Sequence, residues 1–386
     1  MMNMIFDILD KIVKDKQLKV DDFLVIDLNR GPHEEIVPLI ELFSSDSQFD
    51  IFNDKMHFVG VASTGITYEY LAIWLIKRSF LKGAKQATEE LEDYLSNEFF
   101  DVYKVMWLNG LWISSPHDVN NESKLMNIIH FPVESYNERF QSKRYDLFSS
   151  LTPDSVLLKK IKHKKIYYKS GEAFKPDAEV NDFQYFDDLR LLLTLIRDDT
   201  IGVQTVGTSI VIPDNIPTIN GFSYSLSNYK QPNLSASLIK IDIENLIGLY
   251  NEFNERTEQQ QDRIRIVLNR LNEYTTFYNS VDKAISIRIM LETLFLDEES
   301  QGELSYQLAL RVSKLFSNDY EERLELFSNM KKVYSLCSKA VHNGRLKKNN
   351  EDKANELFPP TVTIIKKMLF KLINGDEIDW KKVILD

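Results

Sequence analysis

The spacing of hydrophobic positions changes character along the chain. Near the start, Ile5, Ile8, Leu9 and Ile12 recur at helical intervals, which predicts a short amphipathic helix within residues 1–22. "FLVIDL" (23–28) and "HFVGVAS" (57–63) are short apolar runs rich in β-branched residues and read as strands. Residues 67–100 hold no proline and many strong helix formers, so they predict one long helix or two, with Gly83 as the weak point. "YKVMWLNGLWIS" and "MNIIHFPVES" return to strand-like composition. Residues 201–230 mix β-branched residues with Gly, Pro and Asn, which predicts short strands and turns.

From about residue 240 the pattern is helical to the end. Helices are expected at 261–278, at 281–296 with Ala284, Ile287, Leu291 and Leu294 on one face, and at about 303–317 with Leu304, Leu308, Val312 and Leu315. A fourth is expected at 319–342 and a last at about 359–373, after Pro359-Pro360. Short links between them predict an antiparallel bundle of about five helices. The expected fold class is therefore α+β, a mixed α/β region over residues 1–240 followed by an all-α bundle over 241–386. The polar stretch "NERTEQQQD" (254–262) reads either as a boundary or as the middle of a connecting helix.

Composition narrows this picture. A chain of 386 residues is long enough for two or three domains, and 43% hydrophobic residues can build real cores. The N-terminus lacks the order of a signal peptide. The most lipid-like window, residues 56–76, carries His57, Glu69 and many hydroxyls, so it reads as core strand plus helix rather than a membrane span. A soluble cytoplasmic protein with no membrane partner is expected. One cysteine excludes an internal disulfide framework. The net charge of −11 argues against a protein that simply coats nucleic acid. That charge is uneven: residues 261–386 hold 20 Lys and Arg against 19 Asp and Glu, and the first 260 residues hold 27 against 39. Any phosphate-binding surface must then be a local patch. The densest basic run is "KKIKHKKIYYK" (159–169), with six lysines, one histidine and two tyrosines. It reads as a nucleic-acid patch, with cations for phosphate and tyrosines for stacking, or as a solvated edge strand or loop guarded by lysines.

The stretch "VYSLCSKAVHNGR" (333–345) holds the lone cysteine and a histidine five positions later. On a helical wheel Phe327, Met330, Tyr334, Cys337 and Val341 form one apolar stripe, so Cys337 reads as a small buried hydrophobe. His342 lies about 140° from Cys337 at 3.6 residues per turn, so a straight helix cannot pair them. An apolar stripe also denies the thiolate the electropositive setting it needs. Ligand spacing for a metal is absent, as are Walker, deaminase and dinucleotide fingerprints, so neither metal nor cofactor is expected. His342 falls on the polar side with Lys331, Ser335 and Ser338, in a last turn that Asn343-Gly344 would cap. There it suits general acid–base chemistry or a purely structural cap.

Read in order, these residues resemble the motif of HEPN domains, in which Arg is followed by four to six residues and then His, with Cys337 standing where the Arg would be. "ISIRIMLETLF" resembles the helix before the motif in the Apea-like HEPN group, "GELSYQLALRVSKLF" the next helix, "NDYEERLELF" the link, and "DEIDWKKVILD" the group's ending. The likeness covers about residues 261–386. It implies a metal-independent ribonuclease of a bacterial antiphage, abortive-infection or toxin-like system. Such domains work as homodimers, with both motifs facing one RNA cleft. His342 would be the acid–base residue, flanked by Ser338 and Asn343. The region 1–240 would recognise an unidentified trigger or protein partner. The departure is Cys337, since a thiol cannot supply a fixed cation to the phosphate; losing such a contact typically costs on the order of 100- to 1000-fold in rate. Lys339 and Arg345 are candidate substitutes, with Lys347 and Lys348 beside Arg345 as RNA-binding cations. Glu292 matches an acidic position common in these domains; it would orient a motif group or pair with Arg288, its i−4 neighbour. The alternative is a non-catalytic HEPN module that binds RNA or a protein as a regulator or scaffold.

Overall fold

A computed structural model describes residues 1–15, 34–53, 55–59, 62–136, 153–169, 182–197, 201–217, 225–226, 236–276, 279–296, 302–376 and 378–385. The expected strand at 23–28 lies outside them.

The chain opens with α1 (Met2–Lys14), which buries Ile5, Leu9 and Ile12 as its spacing predicts. Next come α2 (Val37–Ser45), β1 (Lys55–Val59) and β2 (Ala62–Gly65), the last two paired antiparallel. The helix-forming stretch 67–100 gives two helices, α3 (Tyr68–Lys82) and α4 (Ala84–Ser96). They part at Gly83, whose φ of 91° is closed to most L side chains. The four helices α1 to α4 pack round one core with Phe43, Phe49, Leu71, Leu75 and Leu91 at its centre. Inside it Arg78 and Glu90 form a two-point ion pair, at 2.8 and 2.7 Å.

The strands that follow are β3 (Phe99–Asn109), β4 (Leu111–Ile113), β5 (His117–Asp118), β6 (Ser123–Asn127), β7 (Ser155–Lys164) and β8 (Ile166–Lys169). After α5 (Gln184–Leu192) come β9 (Gln204–Val211), β10 (Ser225–Leu226) and β11 (Ala236–Leu238). An antiparallel six-stranded sheet runs β10-β9-β3-β7-β6-β5; β8 joins β1 and β2, and β11 pairs with β4. "MNIIHFPVES" is a strand only as far as Asn127, after which a 3₁₀ turn begins. The basic run sits on β7, an inner strand as far as Lys159, with β3 on one side and β6 on the other. Beyond Lys159, among the described residues, the run pairs on one side only, Lys160–Lys164 with β3 and β8 with β1, so most of it forms the lysine-guarded edge that one reading of its composition predicts.

From Lys240 the chain is helical: α6 (Lys240–Asn254), α7 (Glu258–Thr276), α8 (Ser280–Phe295), α9 (Leu304–Phe316), α10 (Tyr320–Asn343), α11 (Lys348–Ile373) and α12 (Trp380–Leu385). "NERTEQQQD" carries the break between α6 and α7. α8 packs against α7, α10 and α11. The last long helix corrects the expectation of a start after the prolines, since α11 begins eleven residues before Pro359 and passes through both. Both prolines face solvent, while Ala354, Phe358, Val362 and Ile365 hold the helix to the core. Burial on that face offsets the two backbone donors that proline removes.

One hydrophobic core joins the bundle to the sheet region, running from Met106, Leu108 and Leu157 through α5 into α7, α8, α10 and α11. Polar links reinforce it. Arg265 of α7 grips Asp188 of α5 at 2.8 and 2.9 Å, and the Asn272 side chain exchanges two hydrogen bonds with the Val203 backbone. No helix among the described residues is long and apolar enough to cross a membrane.

His57 of β1 is buried and stacks on Tyr167 of β8, ring centroids 4.7 Å apart. The Tyr167 hydroxyl meets that of Tyr94 at 2.6 Å. Burial, helped by His163 and Lys165, pushes the His57 imidazole down to about 3. Since the folded value lies below the unfolded one of about 6.5, the unfolded chain takes up the proton first as pH falls. Stability attributable to His57 should be complete above pH 6.5 and decline from there towards pH 3. Thermal melts of the protein and of His57→Gln from pH 7.5 to 4 should show a shallower decline in the variant; parallel curves would mean that His57 is not held neutral.

Candidate functional site

The candidate residues centre on α10. Its N-terminus is capped by Asp319, whose carboxylate accepts from the Glu322 N–H at 3.0 Å. Its C-terminus closes at Gly344, which adopts φ 60° and donates its N–H to Ala340 at 3.0 Å. Between these ends Met330, Val333, Tyr334, Leu336, Cys337 and Ala340 turn into the core. Val341, expected on that apolar stripe, is instead 43% exposed. The buried face is wider on the other side, through Val333, Leu336 and Ala340, because α10 is wedged between α8, α9 and α11.

Cys337 is fully buried, and burial pushes its thiol up to about 12, against a downward pull from Arg288. The sulfur is thus a neutral packing atom, the hydrophobe its spacing predicts. His342 is exposed, in the last turn. The fold separates the two, as the wheel requires. Ser338 is half-buried, while Lys339, Asn343, Arg345, Lys347 and Lys348 are exposed. Leu346, buried in the link to α11, holds this loop of cations against the bundle.

Glu292 lies on α8 with Arg288, whose Nε donates to it at 2.8 Å. The Tyr334 hydroxyl donates to the same carboxylate oxygen at 2.7 Å. Glu292 is therefore tied to Arg288 and Tyr334, two turns of α10 away from His342. Arg288 and Tyr334 were not among the residues singled out in the sequence as site candidates. The only available signal was the i, i+4 spacing of Arg288 and Glu292, which thousands of surface helices share.

The two basic regions differ in a way composition does not show. On β7, Lys160 and Lys162 both bind Asp101 of β3, at 2.5 and 2.8 Å. Lys159 binds Glu122 at 2.5 Å, Lys164 binds Glu98 at 2.7 Å, and Lys165 donates to the Tyr94 carbonyl. Burial nudges Asp101 upward, yet its two lysine partners hold it below the usual carboxylate range. A polyanion would meet a surface already neutralised. Between Glu325 and Glu351, in contrast, the chain has Lys331, Lys332, Lys339, Arg345, Lys347 and Lys348 and no acid. None of these six forms an ion pair among the described residues.

A cleft of about 720 Å³ opens beside β3, β6 and β7. Tyr103, Met126 and Leu158 form its floor, with His130, Lys124 and Lys160 round it. Among the described residues, no three His, Cys, Asp or Glu side chains gather as metal ligands would.

Comparison with protein-family models, with curated proteins and with solved structures finds no match to this chain.

The burial of Cys337 makes its substitution informative. Cys337→Arg should destabilise the fold by about 3–5 kcal/mol, because an unpaired guanidinium would be forced into a dry core beside Arg288. Urea unfolding followed by circular dichroism measures this; a variant as stable as the parent would show that side chains at 337 can reach solvent.

Proposed function

We propose that the chain is an HEPN-type RNA-handling protein. In this reading the bundle binds RNA and cleaves it weakly, without metal, through His342 at the end of α10. The observation that carries the proposal is the setting of His342. It is exposed, terminates a helix, and stands among unpaired cations in a stretch free of acid. Lys339, Arg345, Lys347 and Lys348 would gather the phosphate backbone, and the imidazole would move a proton at a ribose or leaving oxygen. A role in bacterial defence, with residues 1–240 recognising the trigger, belongs to the same proposal and rests on the sequence resemblance alone.

A specific observation favours a second reading. Position 337, where the motif would place its guanidinium, holds a buried thiol instead, so the module would bind RNA and regulate rather than cut.

Incubation of a labelled single-stranded RNA with the purified protein in EDTA distinguishes the two. Cleavage is expected to persist in EDTA and to drop at least 100-fold in His342→Ala, with the melting temperature unchanged. Cleavage that needs metal, or that survives in His342→Ala, would remove His342 from the reaction.

The cleft this chemistry needs would be completed by a second copy. Tyr320 (71% exposed), Leu324 (53%) and Val341 (43%) leave apolar surface along α10 that a twofold mate would cover. Light scattering at micromolar concentration should give a dimer, and Leu324→Glu should shift it to monomer. A monomeric parent would exclude a shared cleft.

A further inference from the structure

Arg288 differs from its neighbours in how its guanidinium is used. Arg263 spends its fork on the carbonyls of Thr293 and Leu294, and Arg265 spends its fork on Asp188. Both are structural clamps. Arg288 is held on its inner side only. Its Nε donates to Glu292 at 2.8 Å, and its Nη2 lies 3.5 Å from the Tyr334 hydroxyl, which is itself bound to Glu292. The Tyr334 ring sits under the guanidinium, 5.3 Å from its centroid, and fixes the plane. No described partner takes Nη1, and the side chain is 23% exposed. The outcome is a planar, permanently charged fork, held by Glu292 and Tyr334 on a partly exposed side chain, with Nη1 untaken among the described residues. A fork of that kind matches the oxygens of a phosphodiester.

Its place in the bundle gives that fork a direction. Tyr334 and His342 are eight residues apart on α10, about 12 Å at 1.5 Å per residue. Ser338 stands between them on the half-buried side. A few nucleotides of extended single strand span that distance. We infer that Arg288 is a phosphate-binding residue: its outer Nη edge takes one backbone phosphate of a single-stranded RNA that runs along α10 to His342. The inference rests on the reading of the bundle as an RNA-binding module. It places the guanidinium on α8, a helix away from the motif. Glu292 then has two opposed effects, orienting the fork and offsetting part of its charge.

Fluorescence anisotropy with a labelled 20-nucleotide single-stranded RNA over a salt series tests this. Arg288→Met alone would strand the Glu292 carboxylate and endanger folding, so the informative pair is Glu292→Gln and the double variant Arg288→Gln/Glu292→Gln. The double variant removes both charges together and so strands neither. Glu292→Gln should bind RNA at least as tightly as the parent, because the competing charge is gone. The double variant should bind about tenfold more weakly, with the salt slope reduced by about one phosphate contact. If the double variant binds like Glu292→Gln at every salt concentration, Arg288 holds no phosphate, while the RNA reading stands. If the parent itself binds no RNA, both fall together.

Discussion

Among the described residues, the three hydrophobic cores all touch one strand. Phe100 and Val102 of β3 enter the core of the N-terminal helices, Met106 and Leu108 enter the core shared with the bundle, and Val105 and Trp107 enter a small core on the opposite face. Successive side chains of a strand point to opposite faces, so this sharing needs β3 to be apolar on both faces along much of its length. Its pairing with both β7 and β9 places it inside the sheet, where such a strand is stable. A polar residue at Leu108 would disturb the core shared with the bundle, and one at Trp107 the small core on the opposite face. The Trp107 indole meets its one polar requirement by donating to Ser209 at 3.0 Å.

The same strand explains the fate of the densest basic run. Asp101 of β3 meets β7, where the antiparallel register sets Lys162 directly opposite it and Lys160 on the diagonal, opposite Tyr103. Lysines crowded on one strand repel one another unless the neighbouring strand supplies acid. Here it does, and the run serves the sheet. The cations of the α10–α11 link have no such partner. They lie where the end of α10 meets the start of α11.

Within the bundle, the polar cluster at Arg288 and the buried Cys337 belong to one arrangement. A second guanidinium at 337 would meet the first in a space of low polarity. A small neutral thiol fits beneath Arg288 without opposing it. Glu292 and Tyr334 then satisfy the guanidinium's inner donors, leaving the polar group compensated where it enters the core.

Periodicity along the chain was enough to place α1, the α3–α4 pair broken at Gly83, much of β3, and α7 to α10 of the bundle to within a few residues, because helix and strand formation follow contacts among near neighbours. It also placed Cys337 in the interior and His342 on the surface, since both follow from the angle between positions on one helix. It did not indicate that α11 continues through Pro359-Pro360, because the compensating burial of Phe358 and Val362 comes from other helices. Nor did it show that Val341 faces solvent, that the lysines of β7 are paired, or that Arg288 meets Tyr334 across a helix boundary. Each of these depends on residues tens of positions apart being brought within a few ångströms, and only the packing of the whole chain decides which ones meet.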